Sequence, residues 1–219
     1  MFETQELLIQ LTTSDSPQIR NIISEILGRL LAEYPEEIQE VIIEGLNSPD
    51  PVTKATRARS VKYAGQKLTH QMTVDMLASD LITLAASDDI EVKKNGLEAL
   101  QSIVHCNWFQ MKVVLREKVP SILDFALQET KTRPELIQEV DLGPFKHTVD
   151  NGLPMRKAAY QLLETLIEKA ADSIDLSRVV NTIIQDGLQD KAEECVVLNL
   201  GILAKMSVNS AGVVISYLD

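Results

Sequence analysis

The clearest structural signal lies in residues 14–46, which read SDSPQIRNIISEILGRLLAEYPEEIQEVIIEGL. Apolar residues recur here at the spacing of one helical face: Ile19, Ile22, Ile23, Ile26, Leu27, Leu30 and Leu31. Asp15 or Ser16 is placed to cap the start of this helix, and a proline follows in the first turn. A second proline separates it from a shorter amphipathic helix. The stretch therefore predicts a helix pair at 17–34 and 36–47.

The same arrangement recurs along the chain. An aspartate, often with a proline, precedes each long apolar run and is followed shortly by a basic residue: Asp15, Asp50, Asp89, Asp150 and Asp190. Apart from one longer interval, these aspartates are separated by 35 to 40 residues. Such a period, built from two helices, is typical of HEAT repeats, whose pairs bury their apolar faces only by stacking. The sequence therefore predicts an all-α fold, an α-α superhelix of the HEAT/armadillo type.

We expect one solenoid domain over residues 1–219, with about five helix pairs. The expected pairs are 17–34 with 36–47, 50–68 with 70–86, 89–106 with 108–129, 153–170 with 175–188, and 191–207 with 209–218. Pro120 is expected to kink or split the helix that spans it. The first residues resemble the second half of a repeat, and the chain ends without a polar capping repeat. Both ends are therefore expected to be cuts through a longer solenoid.

Composition limits the partners and the compartment. The formal charge of −11 repels phosphate backbones, so nucleic-acid binding is not expected. One local exception is a basic cluster, for which the salt-bridged flank of a helix is a better interpretation than a phosphate site: Lys54, Arg57, Arg59, Lys62 and Lys67. No signal peptide is expected, because the opening residues show neither a basic segment nor a long apolar run. No membrane span is expected either, because no stretch approaches the length and apolarity that a span requires. With two cysteines in such a chain, we expect a soluble protein of a reducing compartment.

Catalysis is not expected from this sequence. His105 and Cys106 are adjacent, and neighbours on a helix point about 100° apart, so they do not form a dyad. Cys195 lies on an apolar face and is interpreted as a core thiol. The sequence contains neither a glycine-rich phosphate loop nor a metal-ligand motif. We therefore expect no cofactor, no metal and no small-molecule substrate. Trp108 and Phe109 are either core packing, the favoured interpretation, or an interface anchor.

One interval, from Asp89 to Asp150, exceeds the repeat by about half its length. The surplus lies at 133–151, where a loop of this length is usually functional or disordered. Disorder is disfavoured because the insert keeps several apolar residues: Leu136, Ile137, Val140, Leu142, Phe145 and Val149. The sequence predicts an inserted β-hairpin here, with Gly143-Pro144 as a two-residue turn.

This turn fixes the register of the predicted hairpin. It pairs Leu142 with Phe145, Asp141 with Lys146, Val140 with His147, and Glu139 with Thr148. One face is then apolar and the other charged, and a slip by one residue would destroy that sidedness. An isolated two-stranded hairpin is only marginally stable in water. It either folds back onto its own solenoid or binds another protein, and the residues alone leave both open.

The run ELIQEVDLGPFKHTVDNGLPMRKAAYQLLETL (Glu135 to Leu166) closely resembles the C-terminal region of the cullin-associated and neddylation-dissociated protein family. The resemblance is carried by GPFKHTVD, followed by GL, two residues and RKAA. It implies a HEAT-repeat scaffold that binds a cullin lacking its ubiquitin-like modifier. The repeats would lie against the N-terminal domain of the cullin, while the hairpin occupies the surface where the substrate adaptor docks.

The resemblance also implies a binding site and its role. The expected partner-binding residues are Ile137, Glu139, Val140, Asp141, Leu142, Gly143, Pro144, Phe145, Lys146, His147, Thr148 and Val149. The protein would compete with the adaptor and control the exchange of adaptor modules on cullin–RING ubiquitin ligases, in the cytoplasm and nucleus. Asn151 and Pro154 depart from the family pattern and put the anchoring of the hairpin in question. The alternative function is a general HEAT-repeat adaptor, of the phosphatase-scaffold or transport type, with an unknown partner.

Overall fold

The computed structural model describes residues 2–65, 67–141 and 146–217. Regular structure within these residues is helical, apart from one two-stranded antiparallel sheet. This confirms the predicted all-α class and its inserted hairpin. The chain forms two compact units, Met1–Ile122 and Leu123–Asp219. The expectation of a single domain over residues 1–219 stays a prediction.

The first unit consists of successive helices. They are α1 (Phe2–Leu11), α2 (Pro17–Glu33), α3 (Pro35–Leu46), α4 (Pro51–Ala64), α5 (Gln71–Thr83) and the start of α6 (Ile90–Gln128), which continues into the second unit. Met111 interrupts α6 with non-helical dihedrals (φ −124°, ψ 22°), so α6 comprises two helices, as the repeat period predicted. Pro120 was also expected to kink or split the helix that spans it, but the helix is not split there, because Pro120 lies inside the helical run.

Polar side chains cap α2, α4 and α6 where the first three aspartate-containing motifs predicted a helix start. Of the two candidates for α2, Ser16 provides the cap and accepts a hydrogen bond from the amide of Ile19. Asp50 caps α4 at 2.8 Å from the amide of Thr53, and Asp89 accepts from the amide of Val92 at 2.9 Å. These bonds satisfy donors that a helix start leaves without an intrahelical partner.

The core of the first unit lies where α2 packs against α4. Gly28 makes this contact possible, since a Cβ at that position would lie 2.4 Å from the backbone oxygen of Ser60. Leu27 and Leu31 of α2 and Val61 of α4 are fully buried beside it. Among the described residues, no helix is long and apolar enough to cross a membrane.

The second unit contains the hairpin and the later helices. Its elements are β1 (Ile137–Asp141), β2 (Lys146–Asp150), α7 (Leu153–Ala170), α8 (Leu176–Thr182), α9 (Glu193–Asn209) and α10 (Ala211–Ile215). A π-helical turn, Ile183–Gly187, extends α8. The predicted apolar face of α7 is buried, including Met155, Leu163 and Leu166. The unit thus provides a packed helical base next to the hairpin.

Candidate protein-binding site

The two strands pair in the predicted register. Asp141 faces Lys146, Val140 faces His147, and Glu139 faces Thr148, and the ladder continues to Ile137 and Asp150. These pairs confirm the predicted register. The predicted turn Gly143-Pro144 and the pair Leu142–Phe145 lie outside the described residues.

The hairpin has two chemically different faces. Residues directly opposite each other share a face, and the faces alternate along the strands. Val140 and His147 therefore lie on one face, while Glu139 and Thr148 lie on the other. On this second face Lys146 Nζ lies 3.1 Å from Glu139 Oε2, which is a diagonal contact between strands. The contact agrees with the predicted separation of an apolar and a charged face.

The predicted binding residues are exposed along most of the hairpin. Residues 138–141 and 146–148 are exposed, and the side chain of Val140 keeps 39% of its accessible surface. Of the predicted binding residues that the structure describes, Ile137 and Val149, next to the helices, are half-buried. The described strand residues 138–141 and 146–148 therefore face solvent rather than packing onto the helices of their unit. Partner binding by these residues remains a prediction.

A buried arginine holds the end of the hairpin. Arg156 of α7 is 1% exposed, and its Nη2 lies 2.8 Å from Asp150 Oδ2. The same guanidinium binds both oxygens of Asp190, at 2.8 Å from Nε and 3.1 Å from Nη2. Each carboxylate also accepts a backbone N–H at 2.9 Å, Asp150 from Gly152 and Asp190 from Ala192. Such charge-assisted, bidentate contacts are among the strongest polar interactions in proteins.

The electrostatics of this cluster favour its ionised form. Burial alone would raise the pKa of Asp150, but the hydrogen bond and charge of Arg156 outweigh it, so the pKa is lowered. For Arg156, burial acts to lower the pKa, and the two carboxylates reverse this effect and raise it. Both pKa shifts mean that Asp150 and Arg156 remain charged at neutral pH.

The other end of the hairpin is held by a second ion pair. Arg133 Nη2 lies 2.5 Å from Oε2 of Glu129, whose side chain is fully buried. A short 3-10 turn, Pro134–Leu136, connects Arg133 to β1. The amide of Asn151 donates to the carbonyl of Leu136 at 3.0 Å and joins the two ends of the hairpin. Asn151 departs from the family pattern, yet its backbone amide still joins the two ends of the hairpin. We call these two ends, with their ion pairs to the helices, the hairpin root.

The sequence pattern did not reveal the pairing at the hairpin root. In the sequence, Asp150 and Asp190 were recognisable only as markers of helix starts, whereas in the structure both bind Arg156. A signal was present, since the arginine follows Asp150 by six residues and the second aspartate comes one repeat later. The period gave their spacing but not their common partner.

The basic cluster is mostly occupied by ion pairs. Contacts are formed by Arg59 with Glu91 at 2.6 Å, Lys62 with Glu98 at 2.8 Å, and Lys67 with Glu33 at 3.1 Å. Arg57 is buried instead, its Nε and Nη1 have no hydrogen-bond partner, and burial lowers its pKa to about 10. The arrangement supports the interpretation of this cluster as a helix flank.

The remaining candidates for chemistry are dispersed. Cys195 is fully buried, and burial raises the pKa of its thiol to about 12, as suits a core residue. Trp108 is buried, while Phe109 is 88% exposed. In the part of the chain that the structure describes, no group of three or more His, Cys, Asp or Glu side chains could hold a metal ion.

Comparison with known proteins gives a family match and close sequence relatives. Residues 114–219 match the TIP120 family, described as TATA-binding protein interacting (TIP20). The chain is 32% identical over 187 residues to cullin-associated NEDD8-dissociated protein 1 of Dictyostelium discoideum, covering 84% of this chain and 15% of that protein. The protein of the same name from Arabidopsis thaliana is 29% identical over 215 residues, covering 97% of this chain and 17% of that protein. The chain thus spans about a sixth of the length of these relatives.

Solved structures support the fold assignment. A designed armadillo repeat protein superposes with a TM-score of 0.52 at 16% identity, covering 92% of this chain and 82% of that one. This likeness concerns the helical repeat architecture alone. It agrees with the HEAT/armadillo class predicted from the period.

Proposed function

Because this chain is homologous to a segment of the cullin-associated NEDD8-dissociated proteins, we propose that it is a scaffold that binds a cullin. The partner is the N-terminal domain of a cullin that lacks its ubiquitin-like modifier. The hairpin between Ile137 and Asp150 occupies the surface where a substrate adaptor docks. The chain thereby controls the assembly and exchange of adaptor modules on cullin–RING ubiquitin ligases.

The observation that supports this proposal best is the exposed hairpin. Val140 lies on its apolar face and remains 39% exposed. A two-stranded hairpin without a partner is only marginally stable in water. A partner that covers this face would remove apolar surface from water and stabilise the strands together. On the other face, Glu139 and Lys146 neutralise each other and suit contact with solvent.

Marginal stability also suggests how exchange proceeds. Elements with few buried apolar contacts open at low free energy, and the strands 138–141 and 146–148 have exposed side chains. The hairpin therefore detaches from the cullin before the helices do, and a substrate adaptor then binds the cullin surface that the hairpin has left. Stopped-flow measurement of chain dissociation from cullin, with and without adaptor, tests this step. An adaptor-independent rate would refute it.

The proposed action is binding rather than catalysis. The homologues are named for association with cullins, and the fold is a helical repeat. We place the chain in the cytoplasm and the nucleus, where fluorescence microscopy of a tagged chain should detect it.

Calorimetry tests the proposed contact. The whole chain is titrated against the N-terminal domain of an unmodified cullin, beside a variant in which residues 137–149 are replaced by a short Gly-Ser linker. This variant keeps Asp150 and hence the buried ion pairs of Arg156. We expect binding by the parent chain, competition by the adaptor, and no binding by the variant. Equal binding by both chains would move the contact to the helices and contradict the role of the hairpin.

A further inference from the structure

The direction of the hairpin is set at its root. Two ion pairs with a buried partner hold its ends, Arg133 with Glu129 before β1 and Asp150 with Arg156 at the end of β2. Beyond the root the side chains are exposed, and the pair Lys146–Glu139 is largely in solvent. Exposed pairs contribute little to rigidity, whereas breaking a buried pair leaves an uncompensated charge. The root contacts therefore dominate the geometry of the hairpin.

Asp150 couples the strand directly to the helices. It is the last residue of β2 and pairs with Ile137 across the ladder. One carboxylate oxygen accepts from Gly152 and the other from Arg156, so the carboxylate is fixed at both oxygens. The connection is also tight, because a Cβ at Gly152 would lie 3.0 Å from Leu136 Cδ1.

Arg156 is itself held from the opposite side. Asp190, in the loop before α9, is bound by both Nε and Nη2 of the guanidinium. Both side chains are 1% exposed, so the guanidinium has no solvated position as an alternative. Its position is thus defined by three donor–acceptor contacts within one buried cluster.

We propose that Asp150 and Arg156 are positioning residues, which fix the direction in which the hairpin presents the apolar face of Val140 and His147. Asp190 supports them by holding the guanidinium. The inference rests on the proposed function only where cullin binding is concerned. The direction of the hairpin is measurable without a partner.

Electron–electron distance measurements test the direction of the hairpin. Spin labels are placed on cysteines introduced at the exposed positions Thr148 and Gln161, in a chain that carries Cys106→Ser. We expect the substitution Asp150→Asn to widen the distribution of label distances at least about twofold, since the hairpin alone is marginally ordered. The matched control is Asp124→Asn, the same change at the exposed ion pair with Arg178, which should leave the distribution unchanged.

A second variant separates positioning from general destabilisation. Arg156→Lys keeps the charge, but a single ammonium does not reproduce the planar fork that binds both carboxylates. It should also widen the distribution, while circular dichroism shows that the helices persist. An unchanged distribution in both Asp150→Asn and Arg156→Lys would overturn the inference.

Binding to the N-terminal domain of a cullin then relates the geometry to the proposed function. We expect Asp150→Asn to weaken the affinity about tenfold and Asp124→Asn to leave it within about twofold. A wider distance distribution with unchanged affinity would support the positioning role and count against the hairpin as the cullin contact. Weaker affinity with an unchanged distribution would refute positioning while leaving the proposed function intact.

Discussion

Replacing Gly28, in the middle of α2, by alanine should not stabilise the fold. In a helix interior, Gly28→Ala would ordinarily stabilise the fold by about 1 kcal/mol. Here the new Cβ would lie 2.4 Å from the backbone oxygen of Ser60 and 2.7 Å from the Cβ of Tyr63. Contacts of a carbon with an oxygen need about 3.3 Å, so α2 and α4 must separate by roughly 1 Å. Overpacking of this kind costs about 1–3 kcal/mol. We therefore expect no stabilisation but a net loss of up to about 2 kcal/mol in the free energy of unfolding.

Urea unfolding measures this loss. The fluorescence of Trp108, the sole tryptophan of the chain, reports on the first unit because its side chain is buried there. Gly201→Ala in α9 is the matched control, since a Cβ there meets nothing within 4 Å. Followed by circular dichroism, this control should gain about 0.5–1 kcal/mol. Stabilisation by Gly28→Ala equal to that of the control would refute the close packing of α2 on α4.

Three further predictions concern buried polar groups. Arg57→Met removes a guanidinium whose Nε and Nη1 lack partners, and it should leave the urea stability unchanged or raise it by about 1–2 kcal/mol. Asp150→Asn should lower the free energy of unfolding fully at pH 7 and progressively less below pH 3.8. The pairing with Arg156 lowers the pKa of Asp150 in the folded state, so the stabilisation by Asp150 is lost as the pH falls through that folded-state pKa. Urea titrations of the parent chain and the variant at pH 7 and pH 3 measure this difference. Iodoacetamide at pH 8 should alkylate the half-exposed Cys106 and not Cys195. Burial raises the pKa of Cys195 to about 12, so almost no thiolate is available for alkylation, and mass spectrometry of the digested chain will identify the modified cysteine.

The helices and the hairpin register could be predicted because both depend on local patterns. Apolar spacing of three and four residues predicted α2 and α7, and strict alternation around a Gly-Pro turn predicted that Val140 faces His147. These signals lie within single elements or between adjacent strands. They therefore need no knowledge of how the repeats stack.

Features that depend on contacts between distant residues escaped prediction. The partner of Arg156, Asp190, is 34 residues away and is brought close only by packing. The period predicted a boundary near residue 107, whereas the break in α6 lies at Met111, without a nearby glycine or proline. Close to it, the side chain of Asn107 donates to the carbonyl of Gly65 at 2.8 Å. Pro120 was expected to kink or split the second of the two helices in α6 because a proline removes a backbone donor and clashes with the preceding turn. The helix nevertheless continues through Pro120.

The central claim is that the apolar face of the hairpin binds the cullin. The most direct test introduces the same residue on each face, Val140→Asn on the apolar face and Thr148→Asn on the charged one. Both side chains are exposed, so neither change removes core packing. Titrated calorimetrically against the N-terminal domain of an unmodified cullin, Val140→Asn should weaken binding at least about tenfold, and Thr148→Asn should stay within about threefold. Equal affinities for the two variants would contradict the claim.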